Sequence, residues 1–191
     1  MTLDATTQSA APSTSRFGKL DWLEIGFRLL ASEGPAALTL ERLTQEAGRT
    51  RGSFYHHFKD REDFVREMML EWRERSTEQA ARRMAEISDV ATLRRVLLDW
   101  PTSLDHALEK AFRRMAVVEP LVRVMLAEMD QRRIEGFAAI IASTRPEIAD
   151  PKSFALLAYS VIVGCQWLLQ QEDPRAEGLQ AAGEALFWPE N

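Results

Sequence analysis

Apolar residues along this chain recur at steps of three and four, and no stretch alternates with the period of a strand. Leu20, Leu23, Phe27 and Leu30 make a first amphipathic helix, which Gly34 and Pro35 terminate. Leu40, Leu43 and Ala47 make a second, with Thr39 placed to cap its start and Gly48 to end it in the left-handed conformation a residue without a Cβ takes cheaply. After a short break, Thr50 can cap a third helix carrying Arg51 through Phe58, with Phe54 and Phe58 turned to the core. Asp60 caps a fourth, whose first turn holds Glu62 and Asp63 and whose buried side is Phe64, Val65, Met68, Met69 and Trp72. The charged run Glu71 to Arg83 lacks a wide apolar stripe and suits a connector.

Further on, Leu93, Val96 and Leu97 predict a short helix ending before Pro101, and Leu104, Ala107, Leu108, Ala111, Phe112 and Met115 predict the next. Pro120 can open a long helix through Leu121, Val124, Met125, Glu128, Arg132 and Phe137, broken near Arg145 and Pro146. Pro151 starts the most apolar stretch, and a last helix from Ala176 to Phe187 puts Leu179, Ala182, Gly183 and Leu186 on one side. The fold class is therefore all-α.

Two short helices around a glycine turn, Thr39 to Lys59, have helix-turn-helix spacing. Gly52 and Ser53 let the second of them lie close to a surface, while Arg51, Tyr55, His56 and Lys59 can reach out from it. Duplex DNA is the surface such a helix suits. By their chemistry Thr50, Tyr55 and Lys59 are placed for phosphates, and Arg51, Ser53 and His56 for base edges.

The run GRTRGSFYHHFKDRED, preceded by a helix ending in SEGPAALTLERL, resembles the amino-terminal signature of the TetR family of transcriptional regulators. The likeness is close over about Lys19 to Trp72 and fainter over the helical remainder. It departs at Arg49, where the family has a buried Val or Ile, and at Thr44, where it has a small residue. Arg49 is expected to lay its stem over the core and put its guanidinium near a phosphate. The resemblance implies a three-helix head over residues 19–60, behind a tail of residues 1–18, and an effector-binding and dimerisation body over residues 61–191. It implies a homodimeric repressor of a near-palindromic operator, released by a small-molecule effector. A helical adaptor that has lost DNA binding and a transcriptional activator are the alternatives.

Charge adds a footprint. The 191 residues carry a net charge of −5, yet the segment from Arg42 to Arg61 holds Arg42, Arg49, Arg51, Lys59 and Arg61 against only Glu46 and Asp60. A basic face on an acidic chain is what a DNA-binding protein presents. With 46% hydrophobic and 28% charged residues the chain is globular. The Ser-, Thr- and Ala-rich start shows no signal peptide, and the single Cys165 forms no disulfide framework; a cytoplasmic location is expected. Cys165 lies among apolar residues that would raise its pKa. His56 and His57 adjoin without carboxylates at ligand spacing, His106 reads as a solvated helix residue, and no phosphate loop or nucleophile elbow occurs. Neither catalysis, a metal nor a cofactor is expected.

Ser153 to Gln171 contains no charge. Its length would span a bilayer, but Ser160, Gly164, Cys165 and Gln166 in its middle and the lack of interfacial Lys or Arg clusters argue against a membrane. A helix apolar all round must be covered on more than one side. Ser160 and Gly164, a turn apart, permit close approach of a second helix, and with Leu168, Leu179 and Leu186 they are the candidate dimer surface. The resemblance implies that the last two helices form a four-helix bundle with their copies. Trp100, Phe112, Met115, Met125, Phe137 and Trp167 sit at helical spacing as core residues do, and the resemblance makes them candidates to line an effector pocket.

Overall fold

The structure, a computed structural model, describes residues 17–169 and 174–187 and is helical throughout. Side chains at 98, 100–103, 176, 177, 179 and 180 are outside that description, as are residues 1–16 of the expected tail. The helices are α1 (Lys19–Glu33), α2 (Leu40–Ala47), α3 (Arg51–Tyr55), α4 (Arg61–Arg73), α5 (Gln79–Ala85), α6 (Val90–Ser103), α7 (His106–Val118), α8 (Pro120–Thr144), α9 (Pro151–Leu168) and α10 (Ala176–Phe187). A π-helical turn, Glu74–Glu78, joins α4 to α5 without a break. No strand occurs among the described residues, and no helix there is long and apolar enough to cross a membrane.

Local chemistry sets the head. Gly34 ends α1 at φ 84° and Gly48 ends α2 at φ 58°, both in the region that favours glycine. Side-chain oxygens of Thr39, Thr50 and Asp60 accept from the backbone N–H of Arg42, Ser53 and Asp63, so each of α2, α3 and α4 starts capped. Behind them Trp22, Phe54, Phe58 and Phe64 interlock edge-on or tilted, with centroids 5.0 to 5.4 Å apart. Gly26 lets α4 pass close over α1: a Cβ there would stand 2.6 Å from Phe64 and 2.7 Å from the Met68 sulfur.

This head does not own a separate core. One apolar cluster runs from Trp22, Leu43 and Phe54 through Met68 and Trp72 into Phe112, Met115, Val122 and Met129 of α7 and α8. A smaller cluster, Leu97, Leu104, Phe137, Ala138, Ile141, Ala155 and Tyr159, lies under α6, α8 and α9. Polar ties cross the same seam. The Arg61 guanidinium donates to the Leu38 carbonyl at 2.8 Å and grips both oxygens of Glu119, and Arg75 bridges Glu24 and Glu71.

Several sequence expectations require correction. Leu20 is 58% exposed, because the buried arc of α1 runs through Trp22, Leu23, Ile25, Phe27, Leu29 and Leu30 and Leu20 lies past its edge. Regular helix ends at Tyr55, not Phe58; His56 and His57 form a turn that brings Phe58 back onto the core. Helix α6 continues through Pro101 to Ser103, with the proline in its last turn, where only two residues follow it before the helix ends. On α7 Ala107 is exposed, whereas His106 and Glu109 are buried. On α8 the inward face is Val122, Leu126, Met129, Arg133 and Phe137; Val124, Glu128 and Arg132 point to solvent. An arginine inside the stripe had shifted the apparent apolar face.

Candidate nucleic-acid interface

With α3 anchored by buried Phe54 and Phe58, its remaining residues are turned away from the core. Arg51, Gly52, Tyr55, His56 and Lys59 are exposed and Ser53 is half-buried. Thr50 Oγ1 accepts from Ser53 N at 3.2 Å, which leaves the hydroxyl proton to donate outward. Gly52 has no internal packing reason: the nearest atom to an added Cβ would be Thr50 Oγ1 at an ordinary 3.7 Å. Arg49, exposed in the turn, holds its guanidinium 4.8 Å from the centroid of Phe17, itself edge-on to Trp22. Its guanidinium thus rests on the aromatic residue that precedes α1.

The basic footprint is narrower than a count of charges implies. Arg42 bonds Glu33 at 2.6 Å and Glu46 at 2.8 Å, and Arg61 is held by Glu119. Among the described residues neither Arg51 nor Lys59 has an ion-pair partner, and Arg49 has only the Phe17 ring. The cations left for an outside anion therefore cluster at the two ends of α3.

The candidate pocket residues do not converge. Phe112 and Met115 are fully buried in the main core, where Phe112 stacks on Trp72 at 4.4 Å; Met125 is packed at its edge. Phe137 lies in the second cluster, and Trp167 is 45% exposed with the Arg114 guanidinium over its ring. The Trp100 side chain is outside the described residues. A cleft of about 550 Å³ instead opens between α1, α4, the π turn, α5, α6 and α7, lined by Phe27, Trp72, Arg75, Ser76, Met84, Val96, Asp99, Leu104 and Leu108 among others. None of the five described candidates lines it. Of the candidate dimer residues, Ser160, Leu168 and Leu186 are exposed and Gly164 is half-buried, while the Leu179 side chain is outside the described residues. Leu156, Leu157 and Val161 add to the exposed apolar side of α9. Burial raises the pKa of the half-buried Cys165 thiol.

The interior also holds a buried polar cluster centred on Arg133, outside the sequence expectations. Arg133 of α8, 2% exposed, grips Glu109 of α7 through both terminal nitrogens and donates from Nε to Thr77 Oγ1 and from Nη2 to Ser76 Oγ, each at 2.9 Å. Its Nη1 also donates to the Tyr159 hydroxyl at 3.2 Å. That hydroxyl accepts from Arg113 and donates to Asp130, and Arg113 and Asp130 pair at 2.9 Å. Burial works against the Arg133 charge, yet Glu109 and Tyr159 hold it above the usual arginine range. Burial pushes the Tyr159 phenol up to about 12. The signal was present as Arg133 between Met129 and Phe137, a charge at i+4 spacing inside an apolar stripe.

Comparison with known proteins follows this division. Residues 23–68 match the family model for bacterial regulatory proteins, tetR family. No sequence match was found among curated proteins. A transcriptional regulator from Saccharomonospora viridis, solved in complex with choline, superposes with a TM-score of 0.75 at 15% identity, over 88% of this chain and 94% of that one. Reduced NemR of E. coli gives 0.77 at 14% identity over 91% and 99%. AibR, in complex with isovaleryl coenzyme A and operator DNA, gives 0.71 at 14% identity, again over 91% and 99%. The head is thus the amino-terminal module of the tetR family, and the chain as a whole has the fold of its transcriptional regulators.

Proposed function

We propose that this chain with a tetR-family head is a homodimeric transcriptional repressor that reads a near-palindromic operator and leaves it when a small molecule binds the body. The observation that carries the reading is α3: capped, anchored by Phe54 and Phe58, and presenting outward the cations that no internal carboxylate neutralises. Residues 19–60 are the DNA-binding domain and residues 61–191 the effector-binding and dimerisation domain. Arg51, Ser53 and His56 meet base edges in the major groove. Arg49, Thr50, Tyr55 and Lys59 meet phosphates, and Gly52 gives the backbone its close approach. A protein of this kind works in the cytoplasm, beside the DNA.

Three further observations support the body's roles. The cleft beside α4 has the volume of a small-molecule site and touches the head through Glu24 and Phe27. Among proteins of the same fold, one holds choline and another holds isovaleryl coenzyme A together with operator DNA. Exposed Leu156, Leu157, Val161 and Leu168 around Ser160 and Gly164 offer a second copy an apolar face with room for close helix contact. Two heads related by a two-fold axis then meet two half-sites about one helical turn apart. Effector and operator oppose one another through a coupling of about 1–3 kcal/mol, reciprocal by linkage.

Fluorescence anisotropy with fragments from upstream of the gene and its neighbours, at two salt concentrations, tests the reading. One fragment should bind tightly, more weakly at high salt, and not at all to the Arg51→Ala, Tyr55→Ala double variant. Uniformly weak, sequence-blind binding across an unbiased genomic library would refute it.

A further inference from the structure

The connector between head and body departs from α geometry at one place only among the described residues, the π turn Glu74–Glu78. A π turn carries an extra residue per turn and weaker backbone hydrogen bonding, so it persists where side chains hold it, and it redirects the helix that contains it. Here the side chains that hold it are identifiable. Ser76 and Thr77, in the middle of the turn, both accept from Arg133, and Thr77 is buried. Arg133 is in turn fixed by Glu109 on α7 and Tyr159 on α9, and its guanidinium lies 5.4 Å from the ring centroid of Trp72, the last buried residue of α4. One buried cation therefore ties the turn to three body helices at once.

Such a pair is a poor source of stability, because removing two charges from water costs about what their attraction returns. Five donors in a rigid fork, however, define a direction well. Ser76 has a second neighbour: it lines the cleft, together with Trp72. Its hydroxyl proton is given to the Trp72 carbonyl at 2.7 Å while its oxygen accepts from Arg133.

We propose that Arg133 is a positioning residue that sets the direction of α4, and of the head it carries, by holding the π turn through Ser76 and Thr77. The consequence for DNA rests on the regulator reading; the latch itself does not. With the hold released, the turn relaxes toward α pairing and α4 swings. Over its 13 residues, about 20 Å, a change of about 10° moves the head by about 3–4 Å.

Electron-spin distance measurement without DNA tests this directly. Labels are placed at exposed Gln45 of α2 and Gln131 of α8 through Gln45→Cys and Gln131→Cys in a Cys165→Ala background. Labelled chain is diluted with unlabelled chain so that only distances within one chain are read. The Ser76→Ala, Thr77→Val double variant should shift or broaden the distribution by about 3 Å or more, Arg133→Lys should do the same, and Thr77→Ser should restore the native distribution. A merely structural role would lower the melting temperature and leave the distance unchanged. An unchanged distribution in both the double variant and Arg133→Lys, with native circular dichroism, overturns the latch even if the wild-type chain binds its operator. A shifted distribution beside a wild-type chain that ignores DNA leaves the latch standing and removes the regulator reading.

Discussion

Arg51 and Arg133 are the same residue put to opposite uses. Around α3 the guanidinium is exposed, has no ion-pair partner among the described residues, and stands on a helix fixed from behind by phenylalanines. At the π turn it is buried, and its fork is met by Glu109, Thr77, Ser76 and Tyr159. A charge left in water is cheap to hold and stays available to an outside phosphate or base. A charge taken out of water must be satisfied internally, and whatever satisfies it becomes fixed in place. Arg42 and Arg61 fall between the extremes: both are at the surface and both are spent on carboxylates.

The comparison breaks most visibly at the interior site. Arg133→Ala leaves Glu109 buried without its cation and should cost about 3–5 kcal/mol in urea unfolding. Replacing both partners by apolar residues of similar volume, Arg133→Met with Glu109→Leu, should cost much less than either single change. A double variant as damaged as the sum of its singles would contradict the view of the pair as a directional device. Next in size is a pH effect. Because the Tyr159 phenol is raised from about 10 to about 12 by burial, the folded state keeps its proton where the unfolded state has lost it. Its contribution, about 2–3 kcal/mol, is whole below pH 10 and lost as pH rises toward 12; alkaline denaturation of Tyr159→Phe should lack that component.

The same amino acid at the outer site behaves otherwise. Arg51→Ala should leave the unfolding midpoint unchanged, yet remove about 1–3 kcal/mol of operator discrimination at one position of each half-site, read by anisotropy against substituted duplexes. Smallest is the cap beneath it. Thr50→Ala gives up the bond to Ser53 N and should cost about 1 kcal/mol of stability, with operator affinity falling in parallel because α3 frays at its start.

How far the chain could be read without its structure follows the same line. The head was legible nearly to the residue. Caps at Thr39, Thr50 and Asp60, glycine stops at Gly34 and Gly48, and anchors at Phe54 and Phe58 are local signals, each acting over a turn or two of backbone. The turn at His56 and His57 has no local signal, because nothing short-range forbids another turn of helix; only the closure of Phe58 onto Phe54 and Phe64 decides it. Pro101 carries the local signature of a stop, yet it lies in the final turn of α6.

In the body, periodicity identified helices but not their faces. Leu121 and Val124 look as apolar as Val122 and Leu126, and which pair turns inward depends on where α7 and α4 press against α8. Glu109, Asp130, Arg133 and Tyr159 resemble surface polar residues in a one-dimensional pattern, since each finds its partner on a different helix. Sequence by itself determined the all-α class, the head with its outward cations, and an apolar carboxy-terminal face that needs covering, because these depend on spacing within single helices. Tertiary structure alone decided which cations stay free, where the cleft opens and what holds the π turn, because those depend on groups that meet only when four helices are packed.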